Sequence, residues 1–480
     1  MKKIAILLFF TVGFFVHVWA CTGLIAGKQA TVDGSVLVTY SADSHTLYGA
    51  LTSSPAADWP KGSMRSIVEW DTNKPLGEIE QVEHTYAVMG NMNEHQLTVV
   101  ESTWGGRPEL VDTTGIIDYG SLMQLALERA KTAREAIKVM TGLVKKYGYY
   151  SSGESFTIAD PNEAWILDLI GKGPGRRGAV WVAVRIPDDC IAGHANYPRI
   201  HKIPMDDKEN CLYSPDVISF AREMGYFDGL NKDFSFARAY SPADFGALRA
   251  CDARVWSFFR KYDSSMDNYL PYVNGESAEP FPLYVKPSRK LSVQDMKEAM
   301  RDHFEDTPFD MTQDVGAGPF KVPYRFRPMS FEVDGKSYCM ERAIATQQTG
   351  FTLVGQMRNW LPDPVGGVLW FGVDDANTCV YIPMYCGITQ VPECFSPENG
   401  SMYDFSWTSA FWIHNWVANM AYARYEPMIG DIRKVQSAVE TSLNLRQPAV
   451  DKAAVELYAT SPEEIVRQTG NRFLETPPKY

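Results

Sequence analysis

Val18-Trp19-Ala20-Cys21-Thr22-Gly23 is the stretch from which the rest of the chain is read. Upstream lie Met1-Lys2-Lys3 and an apolar run from Ile4 to Val16, a basic start followed by a hydrophobic segment too short to span a bilayer. Val18 and Ala20 then stand at the −3 and −1 positions of a cleavage point, so residues 1–20 are expected to be a signal peptide removed on export. Cleavage there makes Cys21 the first residue of the mature chain, with a thiol and a free α-amine on one carbon skeleton. The thiolate is the nucleophilic form of cysteine. An α-amine ordinarily titrates at ~7.7–8.0, so one terminal residue carries both nucleophile and base. Two other readings of Cys21 stand beside this one. It is the first residue after a signal and nothing more, or it is a lipid-modified anchor with a blocked amine. Trp19, at −2, is bulkier than lipoprotein signals prefer.

The chain has 480 residues, 45% hydrophobic and 22% charged, as expected of a soluble globular protein. Its net charge is −12 and it contains no basic run, which argues against nucleic acid or an anionic membrane surface as the main partner. No stretch after the leader approaches a membrane-spanning length. With Cys21 set aside, seven of the eight cysteines remain, an odd number. Cys190 with Cys211, or two of Cys379, Cys386 and Cys394, are the available disulfide pairings, and buried free thiols are the default for so large a chain. No H-E-x-x-H, P-loop, Gly-x-Ser-x-Gly elbow or G-x-G-x-x-G after a strand occurs, so no metal, nucleotide or other cofactor is expected.

Working outward from Cys21, Leu24-Ile25-Ala26-Gly27 and Ser35-Val36-Leu37-Val38-Thr39-Tyr40, joined through Asp33-Gly34, predict a hairpin with Cys21 at its start. Residues 45–80 read as loop. A second hairpin is expected from Tyr86–Met89 and Leu97–Val100, ending in the polar, glycine-rich Glu101-Ser102-Thr103-Trp104-Gly105-Gly106. Helical spacing covers 118–148, with Thr132-Ala133-Arg134-Glu135 as a capping box. Strands return between Ser155 and Gly193 and lead into His194-Ala195-Asn196-Tyr197-Pro198. Further helices are expected from Ser241-Pro242, over Ser292–His303, over Ser409–Ala423 and from Ser461 onward, with strands near 341–355 and at Val368–Val373. The order is α+β, not repeating βαβ. The expected organisation is one large unit over 21–400 with a helical extension over 401–480 packed on it.

These segments together resemble the dipeptidase A family of cysteine peptidases, relatives of the secernins among the N-terminal-nucleophile hydrolases. The resemblance is carried by Cys-Thr-Gly with Thr31-Val32-Asp33-Gly34-Ser35, Asn93-Glu94 with Glu101-Ser102-Thr103, and Glu154-Ser155-Phe156 with Asp160-Pro161-Asn162-Glu163-Ala164-Trp165. His194-Ala195-Asn196, Phe309-Asp310-Met311-Thr312 and Gly366-Gly367-Val368-Leu369-Trp370-Phe371-Gly372 continue it in order. It implies a four-layer αββα sandwich and metal-free hydrolysis of short peptides, chiefly dipeptides.

The same resemblance implies roles for single residues. Cys21 matches the nucleophile. Asp43, in Tyr40-Ser41-Ala42-Asp43, matches an acid that holds the α-ammonium, but Tyr40 stands where the relatives have Arg. Asn196 matches an oxyanion-site Asn, Thr103 stands where another is expected, and Arg254 is the best match for a late site Arg by its helical setting. His194 reads as a core or loop residue, because an α-amine base makes an imidazole base unnecessary. The implied partners are small peptides, with no nucleic acid and no membrane span; a homo-oligomer is left open. The implied location is periplasmic or extracellular, with a lipid anchor on Cys21 as the alternative. An amidase acting on N-acyl amino acids or penicillin-type side chains, a lipid-anchored binding protein and a secernin-like non-hydrolase remain as rival functions.

Overall fold

Thr22–Ala26 and Val36–Asp43 form the antiparallel hairpin expected directly after Cys21, in the register Thr22 with Ser41 and Gly23 with Tyr40. Gly34, in the connection, takes φ +86°, a conformation that glycine adopts without strain. The computed structural model describes residues 21–325, 330–339 and 341–460. The expected signal peptide and the helix expected from Ser461 lie outside these residues.

The hairpin sits at the centre of a seven-stranded antiparallel sheet. Its order is Tyr284–Val285, Ile191–His194, Thr22–Ala26, Val36–Asp43, Thr349–Met357, Val368–Val373 and Ile382–Tyr385. A second sheet of eight strands runs Cys211–Tyr213, Ala179–Ile186, Ala164–Gly171, Gly153–Ala159, Thr98–Gly105, Met92–Asn93, Val88–Met89 and Ser53–Ser54. Contacts join the two sheets through Thr22–Ala26 and Val36–Asp43 on one side and Thr98–Gly105 and Gly153–Ala159 on the other.

Strand periodicity sorts the core. Along Ala164–Gly171, Ala164, Ile166 and Ile170 enter the core shared with the first sheet. The intervening Trp165, Leu167 and Leu169 pack with helices Tyr119–Arg129 and Ala133–Tyr147. Both faces are therefore covered, as continuous apolar strands require. Helices Ala253–Arg260 and Val293–Met300 pack on the first sheet, against Ile191–His194 and against Val36–Asp43 with Thr349–Met357. The chain is thus α+β with two stacked antiparallel sheets and helices packed on each.

Several sequence expectations change in detail. The helical span 118–148 is two helices broken at Ala130-Lys131-Thr132; Asp118 caps the first and Thr132 the second. The second hairpin is shorter than expected. Met89 pairs with Met92 across Gly90-Asn91, and Asn93 replaces the missing ladder with its own side chain. Its Oδ1 accepts from the His95 and Leu97 N–H groups, and its Nδ2 donates to the Leu127 and Ala130 carbonyls. Within the expected loop 45–80, Met64–Val68 and Pro75–Glu80 form a ribbon. Ile67 and Ile79 are its buried residues, Arg65 ties it to Glu128, and Pro75 is tolerated at a strand start. The helix expected from Ser241 opens instead at Asp244, whose carboxylate accepts the Ala247 N–H at 2.7 Å. Ser292 and Ser409 cap their helices as expected, the former in a full capping box with Asp295. All seven cysteines described as to pairing, Cys21, Cys190, Cys211, Cys251, Cys379, Cys386 and Cys394, are free thiols.

Helices Ala410–Ala423 and Tyr425–Thr460 close the described chain. The second is tied down by a buried pair between Arg301 and Glu440, with side-chain exposures of 2% and 1% and a contact of 2.6 Å. Glu440 also accepts the Tyr381 N–H. Glu440→Ala strands the Arg301 guanidinium in the interior with only the half-exposed Glu298 as acid partner. The expected cost is about 3 kcal/mol, read as a lower urea midpoint with an unchanged slope.

Candidate active site

Cys21 directly precedes Thr22–Ala26, an interior strand of the first sheet, and its side chain is buried, with 3% of the residue exposed. Its Sγ lies 3.6 Å from the Tyr40 hydroxyl on the neighbouring strand. The thiol and Tyr40 line a cavity of about 330 Å³ together with Asp43, Asp71, Glu101 and Tyr119. Leu51, Met123, Leu127, Phe351 and Phe371 supply its apolar wall. Burial pushes the Cys21 thiol well above its ordinary pKa, and the charges of Glu101 and Asp43 push it further. The Asp43 backbone N–H and the Tyr40 hydroxyl work the other way by hydrogen bonding to the sulfur. As it stands, this sulfur is a protonated thiol at neutral pH.

Asp43, at the end of the second strand, is held by three partners. Arg342 forms a buried ion pair with it, Thr349 Oγ1 donates to Oδ1 at 2.6 Å, and Ser41 Oγ donates to Oδ2 at 3.0 Å. The cation missing at Tyr40 therefore reaches Asp43 from residue 342. Nothing local in the sequence points to Arg342, which is 299 positions away. Tyr40 has other work: its hydroxyl donates to Glu101 Oε1 at 2.5 Å.

Glu101 is paired with a second buried acid, Glu154. In register, Thr103 faces Glu154, and Glu101 lies two residues away on the same face. Both carboxyls are raised, Glu101 by burial and Glu154, well above its usual range, by burial and by the charge of Glu101. Of the two, Glu154 is pushed up further, while hydrogen bonds from Tyr40 and Glu154 pull Glu101 back down. Neither glutamate was singled out for a site role from the sequence. A signal for Glu101 was present: it continues the apolar run Leu97–Val100 of a strand covered on both faces, where a carboxylate is costly to bury.

Arg254 is the hub on the other side of Cys21. It is 1% exposed, and all five of its N–H donors are used. Nε donates to the Ala250 carbonyl at 2.9 Å, Nη1 to the Cys21 carbonyl at 2.8 Å and to Thr22 Oγ1 at 2.7 Å. Nη2 donates to the Ala195 carbonyl at 3.1 Å and to Asn196 Oδ1 at 2.8 Å. A π-type stretch, Ala247–Asp252, precedes it, a distortion found mostly at functional sites. Asn196 has φ +57°, and its Nδ2 donates to the Thr103 carbonyl at 2.5 Å. The Thr103 hydroxyl itself is spent on Glu154 Oε1 at 2.5 Å. Cys21, Asn196 and Arg254 are thus brought together, Asp43 lies on the cavity wall, and Thr103, Asn196 and Arg254 stand behind that wall.

His194 is packed close by but is not free to act as a base. Nδ1 is 2.6 Å from Ser102 Oγ and Nε2 is 2.9 Å from Thr157 Oγ1. Burial and the Arg254 charge push its pKa down to about 3, so the ring is neutral. The ring lies over Gly23: a Cβ added there would come within 2.8 Å of Nε2, which is the steric reason for glycine at the third position of Cys-Thr-Gly.

Known proteins of similar sequence carry dipeptidase names. A "probable dipeptidase" of Latilactobacillus sakei is 24% identical over 459 residues, 90% of this chain and 88% of the relative. A "probable dipeptidase" of Salmonella dublin is 27% identical over 396 residues, 77% and 81% of the two chains. "Dipeptidase A" of Lactobacillus helveticus is 24% identical over 429 residues, 84% and 82%. The sequence profile of peptidase family C69 matches residues 20–438, nearly the whole chain. By that match, the protein belongs to peptidase family C69.

Proposed function

We propose that this protein is an exported cysteine dipeptidase of the N-terminal-nucleophile type, built as a four-layer αββα sandwich and working in the periplasm or outside the cell. The observation that carries the reading is the Cys21 thiol itself: it stands at the head of an interior strand and lines a cavity of about 330 Å³, with its carbonyl held by Arg254. Three relatives with dipeptidase names add to it.

While Ala20 remains attached, the Cys21 nitrogen is an amide and takes up no proton. Removal of residues 1–20 turns it into an amine, and a buried thiol with a raised pKa gains a base within its own residue. The amine takes the thiol proton, directly or through one water. The sulfur attacks the peptide carbonyl and the C–O double bond opens to an oxyanion. The Asp43 backbone N–H, which faces the sulfur, serves as its donor, and Asn196, behind the cavity wall, backs the Cys21 carbonyl through Arg254. Thr103, with its hydroxyl turned to Glu154, acts only through its carbonyl, which orients Asn196. The ammonium then protonates the leaving amine as the C–N bond breaks, and water hydrolyses the thioester. A buried thiol favours this role over a lipid anchor, which has to leave the fold.

The test is intact mass and N-terminal sequencing of the protein made with its own leader, followed by assay on a dipeptide panel. The expected result is an unmodified Cys21 terminus and dipeptide cleavage insensitive to chelators. A mass gain from a diacylglyceryl thioether and an acyl chain would overturn it.

A further inference from the structure

The cavity beside Cys21 has an unusual charge balance. Three acids line it, Asp43, Asp71 and Glu101, and among the described lining residues there is no Lys, Arg or His. Asp43 is neutralised by Arg342 and two hydroxyls. Glu101 and Asp71 are not. Glu101 is 2% exposed, and its Oε1 is held by Tyr40. Its Oε2 is buried and, among the described residues, is met by no N–H donor or cation; the group beside Glu101 is the carboxyl of Glu154. Asp71 is exposed at the rim, where Tyr119 Oη donates to Oδ1 at 2.8 Å. The Tyr119 hydroxyl feels the charges of both Glu101 and Asp71, which places it beside the two acids.

A cavity of this sign selects a cation, and the substrate of a dipeptidase carries one in a defined place. The α-nitrogen of a peptide lies about 2.5 Å from the carbonyl carbon of its own residue. A sulfur poised for attack is about 3–3.5 Å from that carbon. The group that receives the ammonium must therefore stand next to Sγ. Glu101 does: it hydrogen-bonds the tyrosine 3.6 Å from the sulfur, and it is itself within reach of the thiol.

The geometry points to Glu101 as the residue that binds the free α-ammonium of the substrate, with Asp71 as a second acid at the cavity mouth, so that the enzyme is selective for peptides with an unblocked N-terminus. This rests on the dipeptidase reading and sharpens it. It makes Glu101 a specificity residue at the first substrate position. The apolar wall of Leu51, Met123, Leu127 and Phe371 is left for the substrate's side chains. It also disfavours N-acylated amino acids, which bring a neutral amide to a carboxylate that no cation balances among the described lining residues.

The experiment compares leucyl-alanine with its N-acetyl derivative on the mature wild type, Glu101→Gln and Asp71→Asn. The rate of Cys21 alkylation by iodoacetamide serves as a check that the site is folded. The wild type is expected to favour the free dipeptide in kcat/KM by about 30-fold or more, the range of a desolvated charge pair. Glu101→Gln is expected to cut that preference at least tenfold. Asp71→Asn, which leaves the Glu101 carboxylate in place, is expected to cut it about threefold, through KM. Equal slowing of both substrates by Glu101→Gln, with Cys21 still alkylated, would mean that Glu101 serves the protein's own Cys21 ammonium, and the assignment falls. A wild type indifferent to acetylation also overturns it while leaving the dipeptidase intact. A wild type that cleaves no dipeptide but deacylates N-acyl amino acids overturns the dipeptidase reading itself.

Discussion

Cys21→Ala is expected to abolish dipeptide hydrolysis, with a loss of at least ~10⁴-fold in kcat, the scale seen when a covalent nucleophile is removed. The substitution leaves the α-amine, the Arg254 hub and the Asp43–Arg342 pair in place, so what is lost is the sulfur alone. The fold should survive. Cys21 contributes one small buried side chain, and trimming it to a methyl group costs about 1 kcal/mol at this size. The checks are kcat on a dipeptide and the urea midpoint of the same sample. Cys21→Ser keeps a weaker nucleophile beside the same amine and should retain a trace of activity. Full activity in Cys21→Ala would falsify the mechanism.

Arg254→Met is expected to have the second largest effect: a loss of about 10²–10³-fold in kcat, the scale of losing an oxyanion donor, with KM little changed. The side chain makes five hydrogen bonds, and none of its partners is a carboxylate. Burial, with Arg342 nearby, pushes its pKa down to about 10, so the site tolerates the charge rather than depending on it. Its use is geometric. It fixes the Cys21 carbonyl and Asn196 Oδ1 to one planar group, which sets the distance between the nucleophile and the Asn196 amide. Methionine fills much of the volume but leaves the Cys21 and Ala195 carbonyls and Asn196 Oδ1 without their donor. Such unpaired buried acceptors cost about 1–3 kcal/mol each. Arg254→Lys, with one ammonium in place of a planar fork, cannot serve both sides and should fall between the two. If Arg254→Met lowered stability but left kcat of the folded fraction unchanged, the residue would be structural only.

Much of this arrangement was legible in the chain. The hairpin after Cys21 follows from two apolar runs around Asp33-Gly34, and helix starts at Ser292 and Ser409 follow from caps within a four-residue window. Asp43, Asn196 and Arg254 were reached through a resemblance, and the structure brings the last two to Cys21 by direct and indirect hydrogen bonds. What windows missed are pairings across the fold. The cation at Asp43 comes from Arg342, because Thr349–Met357 pairs with Val36–Asp43 and carries the preceding segment there. The Thr103 hydroxyl turns to Glu154 because the register of two strands sets them opposite each other.

The sequence alone determined the class of the fold, and it pointed to where the mature chain is expected to start and to Cys21 as the residue proposed to carry the sulfur chemistry. Those depend on composition, on period and on neighbours within a few positions, all of which a linear text contains. Only the tertiary structure decided that Glu101 sits near the thiol with no cation opposite it among the described residues, that Tyr40 links the two, and that Arg254 uses all five donors. Those depend on how two sheets stack and in which register their strands pair. A one-residue shift would turn each of these side chains to the opposite face.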